Sequence, residues 1–211
     1  MNKNPLNDSH QEPWLAWVDD ADADGEVGDI YNKWKAANPA REFFPEILKC
    51  FSGNASVLRG VLDFTYPLQF NDGQLTRKQK ELIATYVSAL NKCKYWTGSH
   101  AYFLQLQGEE SGIVRAAMEK DLDSVKLDDS ILVLLKFVRL LTLESHKNSP
   151  DEIQKLRDAG WVDAQIAEAV LVVGMFSMFN RVADAFGLPD PGYFEKEKTG
   201  NAIVPATRSS E

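Results

Sequence analysis

LTRKQKELIATYVSALNKCKYWTGSH, residues 75–100, reads as two helices and the reversal between them. Thr76-Arg77-Lys78-Gln79 has the pattern of a capping box, in which the Thr hydroxyl and the Gln side chain each satisfy a backbone amide that has no partner inside the helix. Behind it Leu82, Ile83, Tyr86, Val87 and Leu90 recur at helical spacing, so the segment turns one apolar face inward. Asn91-Lys92 is a stop. A second helix is expected to begin between Cys93 and Thr97 and to run to Gly108.

Worked outward, the pattern stays helical. Val27, Ile30, Tyr31 and Trp34 form a stripe ended by Asn38-Pro39. Pro45 opens a short turn through Phe51, stopped at Gly53. Asn54 can cap a helix whose Val57, Leu58, Val61 and Leu62 share a face until Pro67 interrupts it. Ile131–Leu143 is apolar on most sides and is expected at the bundle centre or in a subunit interface. Ser149-Pro150-Asp151-Glu152 reads as a second capping box, with Pro where its missing N–H costs nothing, and Gly160 as the stop. Asp163 is expected to cap the longest helix, Ala164 to Phe186, closed by Gly187 and Pro189. No stretch alternates with period two. The fold class is therefore all-α, a bundle of about eight or nine helices.

Composition narrows the function classes. The 211 residues carry 31 Asp and Glu against 23 Lys and Arg, a net charge of −8, which argues against a nucleic-acid binder. Two cysteines exclude a disulfide scaffold and a four-cysteine zinc site. The apolar run Ala169–Phe179 is shorter than the ~20 residues of a membrane span and reads as a buried helix. No basic, then apolar, leader is visible at the N-terminus. The expectations are a cytoplasmic protein without membrane or nucleic-acid partners. Residues 1–24 read as a polar flexible lead-in, with the acidic run Asp19–Asp24 solvated. Residues 25–195 read as a single domain and 196–211 as a flexible tail.

Three residue types able to share protons fall within twenty positions: Glu81, Cys93 and His100. Cys93 is placed at a helix start, where the positive end of the dipole favours thiolate over thiol. An unperturbed thiol, with a pKa of ~8.5, is only slightly ionised at neutral pH. His100 follows Cys93 by seven residues and Trp96 by four, on one helical stripe, and could take the thiol proton directly or through water. Glu81 can meet them only if the chain reverses at Asn91-Lys92. Taken singly, each has a plain structural reading: a packing thiol, a satisfied core histidine, a carboxylate on a helix dipole.

Together the residues Leu75-Thr76-Arg77, Glu81, Val87-Ser88-Ala89-Leu90-Asn91, Cys93, Tyr95 and Gly98-Ser99-His100 resemble the carboxymuconolactone decarboxylase superfamily, and within it the alkylhydroperoxidase-D-like, peroxidase-related branch. The Asn180–Gly187 run, NRVADAFG, extends the likeness. That family pairs a Glu with C-x-x-C and a His, and the steps of twelve from Glu81 to Cys93 and four from position 96 to His100 match. Position 96 departs: the second cysteine, usually the one that attacks peroxide, is Trp96.

The resemblance implies an alkylhydroperoxidase-D-like bundle and a thiol-dependent oxidoreductase that reduces hydroperoxides. Cys93 would be its redox thiol, with His100 and Glu81 relaying protons. With Trp96 in place, no disulfide cycle runs between positions 93 and 96, so an external thiol reductant would have to resolve a sulfenic acid on Cys93. Two other readings stand beside it: a non-catalytic oligomeric member that binds a small apolar ligand, and acid–base lyase chemistry by His100 and Glu81. The resemblance also implies a homo-oligomer, trimer or hexamer.

Cys50, among Ile47, Leu48 and Phe51, reads as a buried small hydrophobe. His146 and His10 read as solvated and share no ligand spacing with His100, so neither a metal nor any other cofactor is expected. Gly108 and Gly112 flank acidic residues, the wrong charge for a phosphate loop. Tyr102, Phe103, Phe176 and Phe179 recur at helical spacing as core, as interface, or as the lining of an apolar pocket.

Overall fold

In the computed structural model, which describes residues 12–193, nine α-helices and two single 3-10 turns account for the regular structure, and no strand occurs among the described residues. The helices are α1 Gly25–Ala37, α2 Glu46–Lys49, α3 Ala55–Phe70, α4 Arg77–Leu90, α5 Lys94–Leu106, α6 Ser111–Glu119, α7 Asp129–Glu144, α8 Pro150–Asp158 and α9 Asp163–Phe186. Two capping signals act as read. The Thr76–Gln79 box forms in full, and the Asn54 side chain accepts from the amides of Ser56 and Val57.

The centre of the bundle is α4, not α7. Every residue from Lys80 to Leu90 is buried, and α5, α6, α7 and α9 pack around it. In α7, Leu134, Leu135, Phe137 and Val138 are buried while Leu143 at its end is exposed. An apolar helix needs only one face against a neighbour, and α4 already occupies the middle.

Other local readings are corrected by competition for partners. Pro67 does not end α3, which continues to Phe70. A proline so near a helix end removes little of the hydrogen-bond ladder, and the Lys80 ammonium binds the carbonyls of Leu68 and Asn71 there, at 2.8 and 2.9 Å. Ser149 makes no side-chain cap, because Glu152 pairs with Lys155 at 2.6 Å and the helix opens on the Ser149 carbonyl instead. Asp163 is the first residue of α9 rather than its cap. Its carboxylate pairs with Arg157, and the Gln165 side chain takes the Val162 amide at 3.1 Å. At the other end Gly187 adopts φ +69°, the left-handed closure expected of it.

The acidic run is solvated in part: Asp22 and Asp24 are exposed, while its first two carboxylates are paired. Asp19 and Asp20 pair with Lys49, and Asp20 also accepts from Lys35 and from the Phe44 amide. Trp17 stacks on Phe186, and the Trp14 amide binds the Phe186 carbonyl. Residues 12–24 thus lie against the domain. Residues 1–11, with His10, and the tail at 196–211 lie outside the described residues. As formed, α9 is long and apolar enough to cross a membrane by length and composition; here Val172, Val173, Phe176 and Phe179 bury it in the core.

Candidate active site

The reversal after α4 sets the geometry. Lys92 takes a left-handed conformation, φ +62°, and the Cys93 amide returns to the Ser88 carbonyl at 3.0 Å. A non-glycine residue there is unfavourable unless its surroundings hold it. Asn180 of α9 does so, accepting from the Asn91 side chain at 2.8 Å and donating to Ser88 Oγ at 3.1 Å. Helix α5 then begins on Cys93 and runs back along α4.

This brings Glu81 and His100 into contact. Both are buried, and His100 Nδ1 hydrogen-bonds to Glu81 Oε2. The other carboxylate oxygen accepts from Arg77, whose Nε lies at 2.5 Å and whose Nη2 also reaches it. Burial alone would push the Glu81 carboxyl up. His100, then Arg77, then the Gln69 amide oppose it, and the net shift is downward from the ordinary 4.5. Glu81 is therefore a carboxylate that holds a proton on His100 Nδ1, leaving Nε2 as the nitrogen free to exchange one. That atom is buried and makes no hydrogen bond among the described residues.

Aromatic rings enclose the imidazole. Trp96 stacks on it with centroids 5.0 Å apart and planes 25° apart, while Phe176 and Phe103 meet it edge-on at 4.4 and 5.6 Å. Trp96 is itself fixed by its indole N–H on the Phe179 carbonyl at 3.2 Å. Of the four aromatics read as core or pocket lining, Phe176 and Phe179 pack on Trp96, Phe176 and Phe103 on His100, and Tyr102 lies against Phe103.

Cys93 departs from expectation. It does stand at the start of α5, facing the amides of Tyr95 and Trp96, but it is fully buried. Burial, reinforced by the nearby Asp184 carboxylate, outweighs those amides and pushes its pKa up to about 12. The thiol is protonated at neutral pH, because the dipole is a small effect against desolvation. No hydrogen bond links Cys93 to His100 among the described residues. Cys50 is half-buried, donates to the Glu46 carbonyl at 3.4 Å, and is likewise pushed to about 12 by burial. His146 sits exposed in the 3-10 turn Ser145–Lys147. Among the described residues no three His, Cys, Asp or Glu side chains gather into a metal-ligating group.

Two contributors carry no role in the sequence reading. Arg77 was visible in the capping box, and its i, i+4 step to Glu81 is a signal for pairing. Gln69 has no such signal, since only packing of α3 on α4 brings it to Glu81.

An all-α bundle with a buried Glu–His pair at the α4–α5 reversal defines the class, and residues 55–125 match the model of the carboxymuconolactone decarboxylase family. The resemblance to that superfamily is borne out over those residues, and the alkylhydroperoxidase-D-like bundle by the solved structures on which the chain superposes. An uncharacterised peroxidase-related protein from Silicibacter sp. TM1040 superposes with a TM-score of 0.74 at 24% identity, covering 88% of this chain and 98% of its own. An alkylhydroperoxidase-D core protein, also peroxidase-related, from Ralstonia eutropha JMP134 gives 0.73 at 18%, covering 86% and 94%. A debrominase, Bmp8, solved in complex with 2,3,4-tribromopyrrole, gives 0.67 at 13%, covering 88% and 98%. The fold thus carries more than one activity. A comparison with curated proteins gives no sequence match.

Proposed function

We propose that this protein performs acid–base chemistry on a small apolar-bodied substrate, with His100 Nε2 as the proton-transferring atom and Glu81 as its orienting carboxylate. The carrying observation is that the Glu81–His100 contact is complete and buried, with one imidazole nitrogen left over. Low polarity around an oriented imidazole strengthens its electrostatic partnership with Glu81. The ring of Trp96, Phe103 and Phe176 suits the flat apolar body of such a substrate. The match to a decarboxylase family and the likeness to a debrominase of a bromopyrrole support that range of substrates.

Thiol-dependent hydroperoxide reduction is the second reading, favoured by the place of Cys93 against the amides of Tyr95 and Trp96 and by the peroxidase-related neighbours. It requires the thiol to be uncovered during turnover and an external thiol to regenerate it. A homo-oligomer goes with either reading: Val170, Leu171 and Met178 on α9 and Val57 and Phe64 on α3 are exposed apolar side chains that a second copy would cover. Light scattering tests this.

Purified protein is offered carboxymuconolactone and, separately, cumene hydroperoxide with dithiothreitol. Lactone turnover that His100→Asn and Glu81→Gln abolish and Cys93→Ser leaves unchanged supports the acid–base reading. Peroxide turnover without lactone turnover, lost in Cys93→Ser, overturns it in favour of the thiol.

A further inference from the structure

Beyond α9 the chain turns back over α5. Gly187 closes the helix, and the Leu188 amide returns to the Ala183 carbonyl at 2.9 Å as Leu188 is buried. Pro189 and Pro191 stiffen the backbone that follows, since proline fixes φ. The segment crosses α5 at Gly98, where an added methyl group would meet Asp190 Oδ1 at 3.1 Å. The same oxygen accepts from the Gly192 amide at 2.9 Å, and Gly192 itself is left-handed, φ +65°. That turn sets Tyr193 against α5 about one helical turn beyond Gly98. Its ring lies 5.9 Å from Tyr102 and 6.0 Å from Phe103.

Phe103 is the wall of the imidazole with the least to hold it. His100 Nε2 is buried, so a substrate reaches it only when its surroundings open. Phe176 lies in the core, buried among α9 side chains. Trp96 is tied by its indole N–H to the Phe179 carbonyl and packs on Tyr95, Phe176 and Phe179. Phe103 is half-buried and has no polar side-chain atom, so packing alone keeps it in place. It meets His100 edge-on at 5.6 Å, and Tyr102 and Tyr193 lie behind it. Aromatic rings at these separations attract and orient one another.

We infer that Tyr193 is a positioning residue of the site: carried across Gly98 by residues 188–193, its ring holds Phe103 against His100 and so controls access to Nε2. This role rests on Nε2 as the reacting atom, but it is read from accessibility without turnover, so it can fail while the proposed function stands.

The experiment is diethylpyrocarbonate modification of the full chain at neutral pH, followed by mass spectrometry of the His100 peptide with exposed His146 as internal reference. In Tyr193→Ala the His100 rate should rise about fivefold against His146, the factor for the loss of one aromatic pair. Tyr193→Phe keeps the ring and should keep the wild-type rate. Ile153→Ala is the control for general loosening: Ile153 packs on the core from α8, which lies against α7, and its loss should leave His100 at the wild-type rate. An unchanged rate in Tyr193→Ala, a rise as large in Tyr193→Phe, or an equal rise in Ile153→Ala overturns the inference. Should Tyr193→Ala fail to fold, Gly98→Leu decides, because its side chain takes the place of Asp190 and lifts the segment with Tyr193 intact. A faster His100 rate there supports the inference, and the wild-type rate overturns it.

Discussion

Trp96 lies flat on His100, ring centroids 5.0 Å apart, and is held there by its indole N–H on the Phe179 carbonyl. The residue standing where the likeness expects a second redox cysteine is thus a wall of the histidine site. Trp96→Cys should remove that wall and cost about 3 kcal/mol, the low end for truncating a buried aromatic because the indole is only partly buried, as read by urea unfolding. It should also make His100 accessible, so that diethylpyrocarbonate modifies it faster than in wild type. An unchanged midpoint and an unchanged modification rate would contradict this account of Trp96.

The Glu81 carboxylate makes stability depend on acid. Its folded pKa lies below the ordinary 4.5, so the unfolded chain binds the proton first. The stability it contributes is fully present above about pH 4.5 and is lost as pH falls through the lower, folded value. Asp19, Asp20 and Glu168 are shifted the same way by their lysine partners. Unfolding midpoints followed from pH 6 to pH 3 should fall in wild type and fall less steeply in Glu81→Gln, from a lower starting point.

Both thiols should be poor nucleophiles in the folded protein. With Cys93 and Cys50 each pushed up to about 12, iodoacetamide at pH 8 should label native protein at least about tenfold more slowly than denatured protein, because the thiolate fraction falls about tenfold per pKa unit. Mass spectrometry of the two peptides checks it. The sign at high pH is opposite to that of Glu81: the folded thiols hold their protons longer, so their contribution is present below about pH 9 and declines as pH rises toward 12.

Lys80 and Glu168 should behave as a pair. Lys80→Met leaves a carboxylate and two carbonyls without their cation and should cost about 3–5 kcal/mol. Glu168→Leu added to it should recover part of that loss, since replacing both members removes the unpaired charge. A double-mutant cycle by chemical denaturation measures the coupling. Strict additivity of the two losses would show that the pair does not act as one.

How far the chain could be read depended on whether a residue's partner lay nearby in sequence. Thr76 caps with Gln79, Asn54 with the two amides after it, and Gly187 closes α9, each within one helical turn. Ser149 fails the same rule because the Glu152 expected to complete its box pairs with Lys155. Asp20 fails because its partners, Lys35, Lys49 and the Phe44 amide, are 15 or more residues away. A local rule holds when no other group, close in sequence like Lys155 or distant like Lys49, offers a better partner, and the sequence does not announce which groups will win.

The site divides along the same line. Sequence by itself determined an all-α bundle, the α4–α5 reversal and the candidacy of Glu81 and His100, since helical periodicity, capping chemistry and the motif spacing are properties of short stretches. Only the tertiary structure decided that Cys93 is a buried thiol, that Trp96 walls the imidazole, and that Arg77 and His100 share the Glu81 carboxylate. The physical reason is that burial and charge pairing arise from elements packed together. Desolvation overrode the helix dipole at Cys93, and a reversal held by Asn180 of α9 brought His100 to Glu81.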